Sequence, residues 1–221
     1  KISTTQNKKK YKIIKSERDF LNLLDILLEE KIFAFDTETT SLDPFDAELV
    51  GVSFSIKEHN AFYIPLGHDA DNIDFSMDLF LQNLKKIFNM KDLIIIGQNI
   101  KYDINVLHKY EVEFNCKVED TMLLSYIYNS SGKHDLDTLS EKYLNYKTTT
   151  YEDIVGSGVK QKSFAEINVK DAGNYACEDA DVTLQLFNYL SKKLNTLDGQ
   201  QKLYRDIENP LIKFIAQIEQ N

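Results

Sequence analysis

Two short runs limit what this chain can become. "KIFAFD" (31–36) and "DLIIIG" (92–97) are apolar almost without interruption. A run of that length reads as a strand covered on both faces, the condition of a strand inside an α/β sheet. The segments around them fit that sheet. "YKIIKS" reads as a short strand, and Ser16 with Asp19 three residues on resembles a capping box opening a helix through Glu30. "ELVGVSFSI" alternates as a half-buried strand and "NAFYIPL" follows it, with a turn at Lys57–His59 making the pair a hairpin. "SMDLFLQNLKKIF" has helical periodicity, and "QNIKYDINVLHKY" reads as a helix capped by Asn99. Further helices are expected over 120–129 and 135–146, and a mobile Gly-containing loop over 147–162. A long helix then opens with Asn168 as its cap and Asp171 in its first turn. The order β-α-β-β-β-α-β-α followed by helices predicts an α/β fold, a mixed central sheet of about five strands flanked by helices.

At 221 residues, with 43% hydrophobic and 28% charged residues, the chain suits one large soluble domain. Residues 1–10 read as a polar, basic, flexible lead-in and 11–197 as the domain. Residues 198–221 read as a helical segment that Pro210 breaks or restarts. No apolar run approaches the ~18 residues of a membrane span, and the start lacks the apolar stretch of a signal peptide, so no membrane partner is expected. Cys116 and Cys177 lie outside any metal-ligand spacing and read as buried hydrophobes of a reducing, intracellular compartment. The four histidines form no zinc-binding pair. A net charge of −9 argues against gripping duplex DNA through many phosphates. It leaves room for a nucleic-acid enzyme whose acids are gathered around metal.

The acids stand at particular places. In "FAFDTETTSL" Asp36 and Glu38 close a buried strand two residues apart, so their carboxylates point to one side. Asp103 lies in the first turn of the helix that follows the second apolar run. Asp179 lies mid-helix, with Tyr175 one turn earlier on the same face. Taken singly, each has an ordinary reading: a solvated strand end, a helix-dipole complement, a surface pair. Four carboxylates from separated segments cannot share a site unpaired, and two divalent cations of oxygen preference, Mg²⁺ or Mn²⁺, would resolve the repulsion.

"DTET" (36–39), "NIKYD" (99–103) and "YACED" (175–179), in that order, resemble the three motifs of the DEDDy exonucleases. The tyrosine of the third motif stands where related enzymes carry histidine. "GQNIKYDINVL", "KHDLDTLSEKYL" and "YACEDADVTLQL" are similar to the proofreading 3′–5′ exonuclease domain of bacterial-type family A DNA polymerases, and "ENPLIKFIAQIEQN" to the segment that leads into their polymerase domain. The resemblance runs from about residue 11 to the C-terminus and implies an RNase H-like fold.

It further implies two metals, one held by Asp36, Glu38 and Asp179, the other by Asp36 and Asp103. Tyr175 would orient the nucleophile, and nucleoside 5′-monophosphates would leave from a single-stranded or frayed 3′ end of DNA. Leu42, Gln98, Asn99, Tyr102, Lys133 and Tyr151 fall at positions that imply contact with that strand. Leu42 would be a wedge between terminal bases, with a core leucine as its ordinary reading; Tyr151 would stack on a base. Lys133 replaces an arginine and loses its bidentate fork, and Thr40 stands where some relatives have an acid.

The implied partner is the polymerase domain of the same longer chain, in a monomer. The Lys-, Asn- and Ile-rich composition fits an AT-rich genome, such as that behind an organellar, apicoplast-type polymerase. The rival readings are an RNase D-like or Werner-type exonuclease, and a retired DNA-binding domain. Retention of all four carboxylates and the tyrosine speaks against the last.

Overall fold

The computed structural model describes residues 8–69 and 73–221; the expected lead-in over 1–7 lies outside them. Six strands form one sheet: β1 (Lys10–Ile13), β2 (Ile32–Thr39), β3 (Leu49–Lys57), β4 (Asn60–Pro65), β5 (Ile94–Gly97) and β6 (Lys117–Asp120). Their order is β1-β4-β3-β2-β5-β6. β3 runs antiparallel to both β2 and β4, while β1–β4, β2–β5 and β5–β6 are parallel. The two apolar runs are β2 and β5, adjacent at the centre, where Phe33, Ala34, Phe35, Ile95 and Ile96 are fully buried. Phe35 meets Phe88 edge-on at 5.1 Å and Phe54 at 5.2 Å. Each such phenylalanine contributes roughly 1.5–3 kcal/mol by leaving water.

The sheet exceeds the expected five strands by one. β6, "KVED", escaped the sequence reading because it holds one apolar residue in four and pairs on one side only. Its ladder is with β5 alone, so little apolar pattern is required of it. The boundary expected at residue 11 also falls inside a strand, since β1 begins at Lys10.

Helices α1 (Glu17–Glu29) and α2 (Met77–Phe88) are capped by the Ser16 and Ser76 hydroxyls, which accept from the backbone three residues on. α3 (Ile100–His108) starts differently from expectation. Asn99 takes a left-handed conformation (φ 60°) and its side chain makes no cap. The buried Asp120 carboxylate replaces it, accepting from the N–H groups of Asn99 (3.3 Å) and Ile100 (2.9 Å). It also caps α4 (Thr121–Tyr128) through Met122 (2.8 Å) and Leu123 (3.2 Å).

After α5 (Leu136–Leu139), which passes into a π turn over Ser140–Leu144, the segment expected to be a mobile loop contains α6 (Tyr151–Val155) and a 3₁₀ turn, Gly158–Lys160. Thr150 and Asp153 form a reciprocal capping box that makes so short a helix possible.

The 26-residue α7 (Val169–Leu194) crosses the sheet, capped by Asn168 as expected. Gly173 allows the close approach: a Cβ there would lie 2.8 Å from Ile13 and 3.1 Å from Tyr63. The chain finishes with α8 (Asp198–Leu203), a π turn (Tyr204–Glu208) and α9 (Asn209–Glu219). Pro210 restarts the helix rather than breaking it, because the first turn needs no N–H there. This segment is tied to the sheet edge: the Tyr204 hydroxyl accepts from the Asp120 N–H (3.1 Å) and donates to Glu119 (2.7 Å).

Candidate active site

The alternation of β2 places Asp36 and Glu38 on one side, opposite Ser53 and Gly51 of β3. α7 crosses that side and delivers Asp179. One carboxylate oxygen from each of Asp36, Glu38 and Asp179 lies within 4.8 Å of the other two. Thr37, between the two strand acids, grips the fourth: its N–H (2.9 Å) and hydroxyl (2.6 Å) both donate to Asp103 Oδ1. The Tyr175 phenol and the Asp179 carboxylate, one turn apart on α7, interact electrostatically.

Asp36, Glu38, Tyr175 and Asp179 line a cleft of about 750 Å³ with Leu42, Asn99, Tyr102, Tyr151, Lys162 and Ser163, while Asp103 is buried behind it. Burial, followed by its neighbours Asp36, Asp179 and Asp103, drives the Glu38 carboxyl far above the usual range. Burial and the Asp36 charge do the same to Asp103 and Asp179, against the bonds from Thr37 and the interaction with Tyr175. Burial alone pushes Asp36 up to about 7. Burial, then the charges of Asp179 and Glu38, raises the Tyr175 phenol, so it stays protonated and can only hydrogen-bond.

The donor set fits a hard divalent cation. Three carboxylates converge from two elements, and Glu38 Oε1 is buried with no hydrogen-bond partner. A buried orphan acceptor among like charges is costly unless a cation completes it.

The remaining residues singled out by sequence divide in two. Leu42 is 93% exposed, so the core alternative is excluded. It stands on a loop held by Tyr102, whose hydroxyl donates to the Ser41 carbonyl (2.5 Å) and meets Thr39 Oγ1 at the same distance. Tyr151 packs parallel to Phe164, with centroids 6.3 Å apart, and edge-on to Tyr175.

Gln98 does not line the cleft. Its amide donates to the His134 carbonyl (2.7 Å) and accepts from Thr121 Oγ1 (2.5 Å), so both ends are engaged. Lys133 is exposed outside the cleft lining. Lys162 and Ser163, which sequence reasoning passed over, are brought in by the short helix and turn of 151–160. The signal available was a lysine pair in a segment rich in capping residues.

A mixed sheet flanked by helices, with acids converging on its central strand, is the RNase H-like architecture. Among solved structures, Escherichia coli RNase D superposes with a TM-score of 0.69 at 14% identity, covering 96% of this chain and 51% of that one. Brucella melitensis NrnC with bound Mg²⁺ gives 0.66 at 18%, covering 96% and 91%. In sequence, DNA polymerase I of Pseudomonas aeruginosa is 41% identical over 216 residues, 96% of this chain and 24% of the relative. A family profile described as 3′–5′ exonuclease matches residues 11–195. The chain therefore belongs to the 3′–5′ exonuclease family, homologous to the exonuclease region of bacterial DNA polymerase I. It spans about a quarter of the length of the curated relatives it matches.

Proposed function

We propose that this chain is the proofreading part of a longer DNA polymerase, hydrolysing the 3′-terminal phosphodiester of a single-stranded or frayed DNA end with two divalent cations, Mg²⁺ or Mn²⁺. The observation that carries the reading is the convergence of Asp36, Glu38 and Asp179 within 4.8 Å beneath an aromatic-lined cleft. Asp36, Glu38 and Asp179 would hold one cation, and Asp36 with Asp103 the other. Cations held there would supply Lewis-acid activation of water near neutral pH and charge neutralisation at the scissile phosphate.

The chain's own residues do the rest. Thr37 fixes Asp103 by two bonds, setting its orientation before substrate arrives. Tyr175, protonated and one turn from Asp179 on α7, orients the attacking oxygen by hydrogen bonding rather than by taking its proton. Tyr151 offers a ring face to a terminal base, and the exposed Leu42 stands at the rim where paired bases would be parted. Asn99 and Tyr102 line the same wall. Lys162 places a positive charge in an otherwise acidic cleft, suited to a backbone phosphate. Residues 198–221 would lead into the polymerase domain, and the buried cysteines fit a reducing, intracellular setting.

The test is digestion of a 5′-labelled single-stranded DNA with Mg²⁺, beside an RNA of the same sequence. A ladder shortening from the 3′ end on DNA, abolished by EDTA and by Asp103→Ala, is expected. Faster cutting of RNA would move the substrate to RNA, and binding without cleavage would make this a retired domain.

A further inference from the structure

Glu178 is buried one residue before Asp179, yet it belongs to no part of the acid cluster. It has three partners of its own. Lys9 Nζ reaches Glu178 Oε1 at 2.6 Å, the Tyr146 hydroxyl donates to the same oxygen, and the Thr149 N–H donates to Oε2 at 2.7 Å. Lys9 Nζ also donates to the Tyr146 hydroxyl (2.5 Å) and sits 4.6 Å from the centre of that ring. The cluster closes over a cavity of about 450 Å³ whose wall includes Tyr175 and Ile154. Thr149 directly precedes the Thr150 cap of α6, and Tyr151 is the first residue of that helix. The carboxylate thus holds the stem of the short helix that presents Tyr151 to the cleft. Its cation comes from residue 9, before the 11–195 stretch that matches the family.

We infer that Lys9 is a positioning residue for substrate capture: by neutralising Glu178 it pins the 146–150 stem, and through it sets Tyr151 against the terminal base. A buried carboxylate gripping three donors is stable only while its counter-charge stays. Removing Lys9 leaves Glu178 charged and underpaired, loosening the Thr149 bond. Lys9 bonds Glu178 and Tyr146 and none of the acids of the cluster, so capture weakens while the chemical step persists. This rests on the exonuclease reading for its kinetic arm but not for its structural arm.

The test compares Lys9→Ala, Lys9→Arg and Tyr151→Ala, with the double variant Lys9→Ala/Tyr151→Ala, on labelled single-stranded DNA. Amide hydrogen exchange over 146–155 is followed in parallel. Lys9→Ala is expected to raise KM about fivefold, part of one base-stacking contact, with kcat within about twofold. Lys9→Arg restores KM, the double variant is no worse than Tyr151→Ala alone, and the Thr149 amide exchanges faster in both variants that carry Lys9→Ala but not in Lys9→Arg or Tyr151→Ala. Unchanged exchange at Thr149 in Lys9→Ala overturns the pin, whatever the activity. Additive losses in the double variant, or a fall in kcat at constant KM, overturn the route through Tyr151. A wild-type protein that cuts no DNA overturns the exonuclease reading instead, and the exchange result still decides the pin.

Discussion

Tyr175 and Asp103 owe their importance to what they touch. Tyr175→Phe keeps the ring but removes the hydroxyl that interacts with Asp179. Its expected effect is a loss of kcat of about a hundredfold with KM little changed, read by single-turnover cleavage. Asp103→Asn keeps the bond that Thr37 donates to Oδ1 but removes charge. At least about a thousandfold loss is expected in the same assay, with thermal stability held or raised, since an acid driven up by burial is relieved when neutralised. Leu42→Ala, at a fully exposed position, should leave Tm unchanged while slowing digestion of paired ends more than of single strands. Asp36 gives a pH prediction. Its carboxyl is raised to about 7 from the ordinary value near 3.8. Without divalent cation, the stability this carboxyl contributes is therefore fully present below about pH 4 and is lost as pH rises towards 7, because the unfolded chain ionises first. A Tm series in EDTA should show that fall, and millimolar Mg²⁺ should flatten it.

Among elements, the four-residue apolar runs at the heart of β2 and β5 were legible because burial on both faces leaves no other pattern. The same holds for α7, where helical spacing and the Asn168 cap agree. What sequence missed was settled at a distance. β6 is held by its ladder with β5. α3 is capped not by its neighbour Asn99 but by Asp120, some twenty residues on. Asp120→Ala would strand four N–H groups on two helices at once. A loss of roughly 2–4 kcal/mol is expected, read as a lower denaturation midpoint, with weakened catalysis because α3 carries Asp103. An unchanged midpoint would show that the double cap is not needed. The site followed the same division. Spacing made the shared faces of Asp36 with Glu38 and of Tyr175 with Asp179 legible, and the family resemblance implied that they meet in one site with Asp103. The fates of Gln98, engaged by Thr121 and His134, and of Lys162, carried in by α6 and its 3₁₀ turn, were set by packing.

The whole molecule carries a charge of −9 while its catalytic cleft is itself lined by acids, so it repels the strand it is proposed to cut. Divalent cations, Lys162 and the stacking rings are proposed to offset that repulsion, and with one lysine facing the strand activity on single strands should fall about two- to threefold between roughly 50 and 200 mM salt. Rates insensitive to salt would contradict capture through phosphates. No helix among the described residues is long and apolar enough to cross a membrane. The most direct measurement is anomalous diffraction from crystals of the protein soaked with Mn²⁺ and a short single-stranded oligonucleotide. Anomalous density coordinated by Asp36, Glu38 and Asp179, with a second peak between Asp36 and Asp103 once the strand is bound, is the result expected. Manganese absent from that cluster, in crystals where it binds elsewhere, would contradict the account.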